Sequence, residues 1–133
     1  MDILDELLSR LKTTSSSVER NALAIKAAET GEPKVLPALI ELIDRPEIEN
    51  ERGTLVHCLA NFDCSRHFLR LVRLVCYGNW EVAHEAMGVL EEMDNVEAEE
   101  VKQGYDLLVM TVDAGVNDEW RAKLLADLLS MFD

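Results

Sequence analysis

Apolar residues recur along most of the chain at spacings of three and four, which is the period of one face of an α-helix. Residues 65–93 show this period most clearly, as two amphipathic segments on either side of Tyr77, Gly78 and Asn79. Gly78 can adopt the left-handed conformation that ends a helix, and Asn79 can cap the helix that follows. The pattern therefore predicts a helical hairpin, and no strand-like alternation competes with it.

Capping and turn residues divide the rest of the chain into six further helices. Asp2 caps the first, which runs to about Lys12, and Ser16 with Glu19 predicts a reciprocal capping box that opens the second, which closes near Gly31. The apolar face predicted for the second helix consists of Val18, Ala22, Ile25 and Ala28. The others begin at Pro33, at Glu47 or Asn50, at Glu97 and after Asn117 or Asp118, and they end near Ile43, Asn61, Asp113 and Phe132.

The second helix of each successive pair repeats one arrangement of residues. Any amphipathic helix repeats its apolar residues at spacings of three, four and seven positions, so those spacings alone do not show a repeat. The recurrence of Glu-Arg at 19–20 and 51–52 is harder to obtain by chance. The four helices align on Arg20, Arg52, Ala83 and Arg121, with apolar residues three and seven positions later. The predicted inward residues are Leu23, Leu55, Leu59, Ala86, Leu90, Leu124 and Leu128.

On these repeats the chain resembles the HEAT-repeat family, in particular its shorter units of the phycobilin-lyase type. The resemblance is carried by NWEVAHEAMGVLEEM at 79–93 and DEWRAKLLADLLSMF at 118–132, and more weakly by residues 17–28 and 50–62. The third unit departs from the pattern, because Ala83 replaces the usual arginine of the inner helix. The resemblance implies an all-α solenoid, a superhelix of about four antiparallel helix pairs, with a concave face that binds proteins. We expect one domain over residues 1–133.

The composition indicates a protein that works in solution inside the cell. No uninterrupted apolar run of about 18 residues is present, and the acidic first segment differs from a secretory signal. The three cysteines, Cys58, Cys64 and Cys76, lie in or beside apolar helical patterns, which favours buried thiols in a reducing compartment over disulfides. We therefore expect a cytoplasmic protein that does not contact the membrane.

No set of residues in the sequence predicts catalysis. His57, Cys58, Cys64 and His67 match the residue types of a zinc site, but adjacent residues on a helix point about 100° apart, which argues against shared coordination. The single His-Glu dipeptide at 84–85 is one pair, whereas the resemblance to HEAT-like di-iron hydroxylases would require several. The sequence contains no phosphate-binding loop or nucleophile elbow. We predict no catalytic residue, metal or cofactor.

The charge balance is strongly acidic, with 26 acidic residues against 13 Lys and Arg and a formal net charge of -13. Such a field repels nucleic acid and anionic membranes, and it attracts cationic partners. The acids are concentrated in two predicted linkers. The first linker contains Glu41, Asp44, Glu47, Glu49 and Glu51, and the second contains Glu91, Glu92, Asp94, Glu97, Glu99 and Glu100.

These features predict a chain that is monomeric when unbound and that binds a basic protein. The second linker supplies the docking carboxylates. Tyr77 and Trp80, which flank the hairpin turn, either pack between repeats or, where they are exposed, supply aromatic anchors. In this respect the chain resembles small acidic immunity proteins of bacteria, which neutralise basic toxins by direct binding. Two alternatives remain open: an adaptor that uses the concave face, and a subunit of a HEAT-like lyase or hydroxylase.

A basic stripe on the fifth predicted helix is the exception to the acidic pattern. Arg66, Arg70 and Arg73 recur at spacings of four and three, in a stretch without acids from Cys64 to Trp80. Such stripes are commonly solvated or paired with nearby carboxylates. The sequence leaves open whether the stripe is a second contact surface.

Overall fold

The computed structural model describes residues 2–132, and these form an all-α structure without any strand. Among the described residues there is no helix with both the length and the apolar character needed to cross a bilayer. The all-α class is confirmed, and the arrangement as a solenoid stays a prediction. The described α-helices are α1 (Ile3–Thr13), α2 (Ser17–Glu29), α3 (Val35–Ile43), α4 (Gly53–Cys58), α5 (Phe68–Tyr77), α6 (Trp80–Glu91), α7 (Ala98–Ala114) and α8 (Glu119–Ser130).

The chain divides into two compact units, one up to Phe62 and one from Asp63 onward. In the first unit, α1 packs on α2, and α4 packs on both α2 and α3. In the second unit, α5 packs on α6, α7 and α8, and α6 and α7 each pack on α8. The single domain over residues 1–133 stays a prediction.

Local capping agrees with the sequence at three helix starts. The carboxylate of Asp2 accepts a hydrogen bond from the Asp5 amide at 2.8 Å, and the Ser16 hydroxyl accepts one from the Glu19 amide at 3.1 Å. The reciprocal half of the predicted capping box is missing, because the Ser16 amide donates to the hydroxyl of Thr14 at 3.2 Å. Asn79 caps α6 as predicted. These caps satisfy amides that a helix start otherwise leaves without partners.

The prediction of the apolar face of α2 is largely wrong. Val18, Ala22 and Ile25 are exposed, and Ala28 is the one predicted residue that is buried. The buried stripe consists of Arg20, Ala24, Ala27 and Ala28. Because α2 carries apolar residues on several sides, its own period does not select a face, and the neighbouring helices α1 and α4 pack against the small alanine side chains instead.

The predicted inward positions of the repeats are confirmed with one exception. Leu23 is only half-buried, because the buried stripe of α2 lies to one side of it. The other six predicted positions, Leu55, Leu59, Ala86, Leu90, Leu124 and Leu128, are buried.

The fourth predicted helix is shorter than expected and is flanked by 3₁₀ turns. The segment Pro46–Glu51 is a 3₁₀ helix in which Ile48 has the non-helical angles φ -116 and ψ 20. The α-helical part begins only at Gly53, and it continues into a second 3₁₀ turn over Leu59–Asn61. A third such turn, Ser65–His67, precedes α5. These tight turns replace the single long helix that the period alone predicts.

The hairpin turn between α5 and α6 forms where predicted, but Gly78 has a different role. Its backbone is extended, with φ -70 and ψ 163, so the predicted left-handed cap is wrong. A Cβ atom at this position would lie 2.6 Å from the carbonyl oxygen of Leu74 and 2.7 Å from Cγ1 of Val82. Glycine is therefore required for space between the two helices, whereas Gly31 and Gly115, at φ 67 and φ 98, have the positive φ that ends a helix.

The replacement Gly78→Ala is expected to lower the free energy of unfolding by about 1 to 3 kcal/mol, because the added methyl group must displace backbone or Val82. Urea denaturation measures the loss. Gly88→Ala is the matched control, since a Cβ there meets nothing within 4 Å and glycine is unfavourable within a helix. A Gly78 variant as stable as the Gly88 variant would contradict the proposed steric role.

Candidate functional site

The second predicted linker forms a continuous acidic segment, residues 91–100, from the last residue of α6 to the first turn of α7. Within the part of the chain that the structure describes, none of its carboxylates makes an ion pair. Two of them accept hydrogen bonds from neutral side chains, Asp94 from Asn95 at 3.2 Å and Glu99 from Gln103 at 3.1 Å. The exposed acids are Glu91, Glu92, Asp94, Glu97 and Glu99, and Glu100 is half-exposed.

The first acidic linker differs, because two of its five acids form ion pairs within the first unit. Glu41 lies 3.1 Å from the Arg45 guanidinium and 3.6 Å from the Lys12 ammonium. The hydrogen bond from Arg45 and the charge of Lys12 lower the pKa of the Glu41 carboxyl. Glu51 lies 3.5 Å from the buried side chain of Arg20. The first linker thus has two of its five acids in ion pairs, whereas in the part of the chain that the structure describes the acidic segment at 91–100 has none.

An apolar groove lies beside the acidic segment in the second unit, with a volume of about 230 Å³. Its most buried lining residues are Phe68, Leu90 and Leu128. Closer to solvent it is lined by Met93, Val96, Val101, Met131 and Phe132. Because Met93 and Val96 belong to the acidic segment itself, part of the groove lining comes from the segment that carries the acids.

Of the predicted anchors, Trp80 is the first residue of α6 and belongs to an aromatic cluster with His84 and Trp120, and Tyr77 is the last residue of α5. The Trp80 ring centroid is 4.1 Å from that of His84, which in turn is 5.6 Å from that of Trp120. The Arg121 guanidinium carbon lies 4.4 Å from the centroid of the Trp120 ring. Tyr77 and Trp80 expose 61% and 59% of their surface. The cluster therefore presents aromatic surface to solvent.

The anchors and the acids predicted to act together are not adjacent. Trp80 is the first residue of α6 and Glu91 is the last, and a rise of 1.5 Å per residue separates them by about 16 Å. Sequence reasoning also missed that His84 and Trp120 join Trp80. The available signal was the occurrence of a tryptophan at the start of both α6 and α8.

A second, open groove of about 490 Å³ lies beside the aromatic cluster, lined in part by Tyr77, Met110 and Asp118. Arg121 also lines it, but its guanidinium donates to the carbonyl oxygens of Val75 at 2.8 Å and Gly78 at 2.7 Å. Because these bonds hold the guanidinium against the end of α5, we assign Arg121 to the structure of the unit and not to ligand binding.

The cysteines are buried inside the two units. Cys58 is buried and the adjacent His57 is exposed, as expected for neighbours that point in different directions on a helix. Burial and the nearby Asp63 charge raise the pKa of the Cys64 thiol to about 11, so this thiol is protonated at neutral pH. Among the described residues there is no group of three or more His, Cys, Asp or Glu placed to hold a metal ion.

The basic stripe, which begins in the 3₁₀ turn Ser65–His67 and continues on α5, is partly accessible. Arg66 and Arg73 are exposed, and Arg70 is half-buried.

Comparison of the chain with protein-family models, with curated proteins and with solved structures gave no match in any of the three.

Proposed function

We propose that this protein is a non-catalytic binding module that docks a basic protein through the acidic segment, residues 91–100. The observation that supports the proposal is that, among residues 2–132, the carboxylates of this segment make no ion pair and five of the six are exposed, although the first acidic linker is partly neutralised. Charges left uncompensated at one place on a surface attract a partner of the opposite sign and discriminate against other partners.

The distribution of charge along the chain points the same way. The unit from Asp63 onward contains fifteen acidic residues and six Lys and Arg, and no Lys or Arg occurs between Arg73 and Lys102. The field is therefore strongest in the unit that carries the acidic segment. A monomeric chain with this field associates quickly with a cationic target, as an inhibitor or immunity protein must do to act before its target causes damage.

The aromatic cluster is a secondary part of the proposal. Since about 16 Å separates Trp80 from Glu91, a partner docked on the acidic segment contacts Trp80 only if its interface extends along α6. Standard interfaces are large enough for this, and exposed tryptophan is frequent among residues that dominate binding. The replacement Trp80→Ala thus reports how far the interface extends.

Charge reversal of Glu92, Asp94 and Glu97 to lysine tests the proposal. The partner is captured at about 50 mM salt, identified and purified, and its association rate with the native and variant chains is measured from about 50 to 500 mM salt. We expect the reversal to slow association by about ten to a thousandfold at low salt and to flatten the salt dependence, because these carboxylates create the attracting field.

The matched control is the reversal of Glu29, Glu32 and Glu49 to lysine. These three exposed acids lie in the first unit, and their reversal changes the net charge by the same amount. If both triple variants slow association equally, total charge and not the acidic segment governs binding. That result would contradict the proposed location of the docking site. Association that is indifferent to salt and to both reversals would refute the acidic-docking proposal itself and favour an adaptor that uses apolar contacts.

A further inference from the structure

The apolar groove beside the acidic segment has the size of one side chain. A dry apolar cavity of about 150 Å³ can hold benzene, so a groove of about 230 Å³ can hold the side chain of one leucine, methionine or phenylalanine. All its lining side chains are hydrocarbon or thioether. Met131, at 47% exposure, and the half-buried Met93 are unbranched and flexible, which allows the groove to adjust to side chains of different shape.

The surroundings of the groove select the charge of its occupant. Met93 is followed by Asp94, Val96 by Glu97, and Val101 is preceded by Glu99 and Glu100. The nearest base in sequence is Lys102, which is exposed on α7. Because another copy of this chain has a net charge of -13, the same field repels it, and anionic lipid is repelled for the same reason. Charge complementarity thus leaves a cationic segment as the occupant.

We propose that the groove receives one bulky apolar side chain from a basic segment of the partner, with lysine or arginine on both sides of that residue. This inference rests on the proposed function and specifies the partner's binding element. The carboxylates at the edge accelerate encounter, and the buried side chain slows dissociation. Acidic steering and an apolar anchor, which the sequence analysis placed on Trp80, are then found together at one end of the second unit.

Two synthetic peptides test the inference without knowledge of the partner. Each is a helical peptide of about 14 residues built from lysine and alanine, and the pair differs at one central position, which is phenylalanine in one and alanine in the other. Burial of the phenylalanine should make its peptide bind the native chain about tenfold more tightly at about 50 mM salt. Backbone amide shifts in NMR spectra should be largest at Met93, Val96, Val101 and Met131.

Variants of the groove complete the test. The double replacement Val96→Gln with Met131→Gln keeps the net charge, changes only residues that are not buried, and should abolish the advantage of the phenylalanine peptide. The control Met110→Gln alters a methionine that is 59% exposed and lies outside the groove, and it should leave that advantage unchanged. Circular dichroism and thermal unfolding verify that each variant is folded.

The outcomes separate this inference from the proposed function. Equal binding of the two peptides to the native chain, with both weakened by the Glu92, Asp94 and Glu97 reversal, would overturn the groove and leave the proposed function standing. An advantage of phenylalanine that survives the double replacement, or shifts centred on Trp80 and Tyr77, would also overturn it. Binding of both peptides that is indifferent to the reversal and to salt would count against the proposed function as well. The selection by charge is tested with a second pair of peptides, built from glutamate and alanine instead of lysine and alanine. If this acidic pair shows an equally strong preference for phenylalanine, the groove does not select a basic segment.

Discussion

The replacement Arg121→Ala is expected to lower the free energy of unfolding by about 2 to 4 kcal/mol. The guanidinium donates to the carbonyl oxygens of Val75 and Gly78 at 2.8 and 2.7 Å, at the end of α5, where helix carbonyls lack partners within the helix. Its positive charge also lies at the negative end of the helix dipole, and its contact with the Trp120 ring adds a smaller stabilisation. Loss of the side chain removes all three interactions together.

Urea denaturation measures this loss, and hydrogen exchange locates it. Amides of the second unit should lose protection, beginning with those of α5 and α8. The matched control Arg121→Lys keeps the charge but replaces a planar donor with two engaged nitrogens by a single ammonium group, so it should recover only part of the stability. A loss below about 0.5 kcal/mol in the alanine variant would show that water replaces the guanidinium at these carbonyls.

The same role recurs at the other two arginines that align with Arg121 in the sequence. Arg20 donates to the carbonyl of Thr14 at 3.3 Å, just beyond α1, and Arg52 donates to that of Ile43 at 3.0 Å, the last residue of α3. The third anchor, Ala83, has no polar side chain and is buried. The recurring arginine is thus explained by the unsatisfied carbonyls at helix ends. A role in recognition is not needed to explain why arginine recurs at these positions.

The replacement Leu59→Ala is expected to cost about 2 to 5 kcal/mol. Leu59 is fully buried in the core of the first unit, so truncation leaves a cavity and removes apolar contacts. Leu23→Ala, in the same unit, is the matched control: its side chain is only half-buried, and we expect less than half of the loss. The two values come from urea denaturation under identical conditions. Equal losses would contradict the difference in burial between the two positions.

The position of most helices follows from the sequence because the interactions that define them are local. Caps such as Asp2 and Asn79 act on amides three residues away, and one face of a helix repeats every three to four residues. These signals predicted the hairpin and the starts of α1, α2 and α6. They failed at the fourth helix, since 3₁₀ and α-helical turns have similar residue preferences and the non-helical angles of Ile48 are not visible in the period.

The candidate site was predicted only in its parts. The sequence identifies the acids of residues 91–100, but it cannot tell them from the equally acidic first linker, whose Glu41 is paired with Lys12 across 29 positions of the chain. It offers Trp80 and Tyr77 as possible anchors without deciding whether they are exposed, and the rise along α6 separates Trp80 from those acids. The sequence does not predict the groove, because Phe68, Val96 and Met131 come together only after α5 to α8 have packed.

What the sequence determined by itself is the helical class, the N-terminal caps of α1, α2 and α6, and the excess of negative charge, since each depends on composition or on residues within one or two turns. Tertiary structure decided which face of α2 is buried, why Gly78 must be glycine, and which carboxylates stay without ion pairs. Those outcomes depend on atoms that are distant in the chain and close in space. The physical reason is that burial and charge compensation depend on the residues that packing brings together. No local sequence pattern specifies which residues these are.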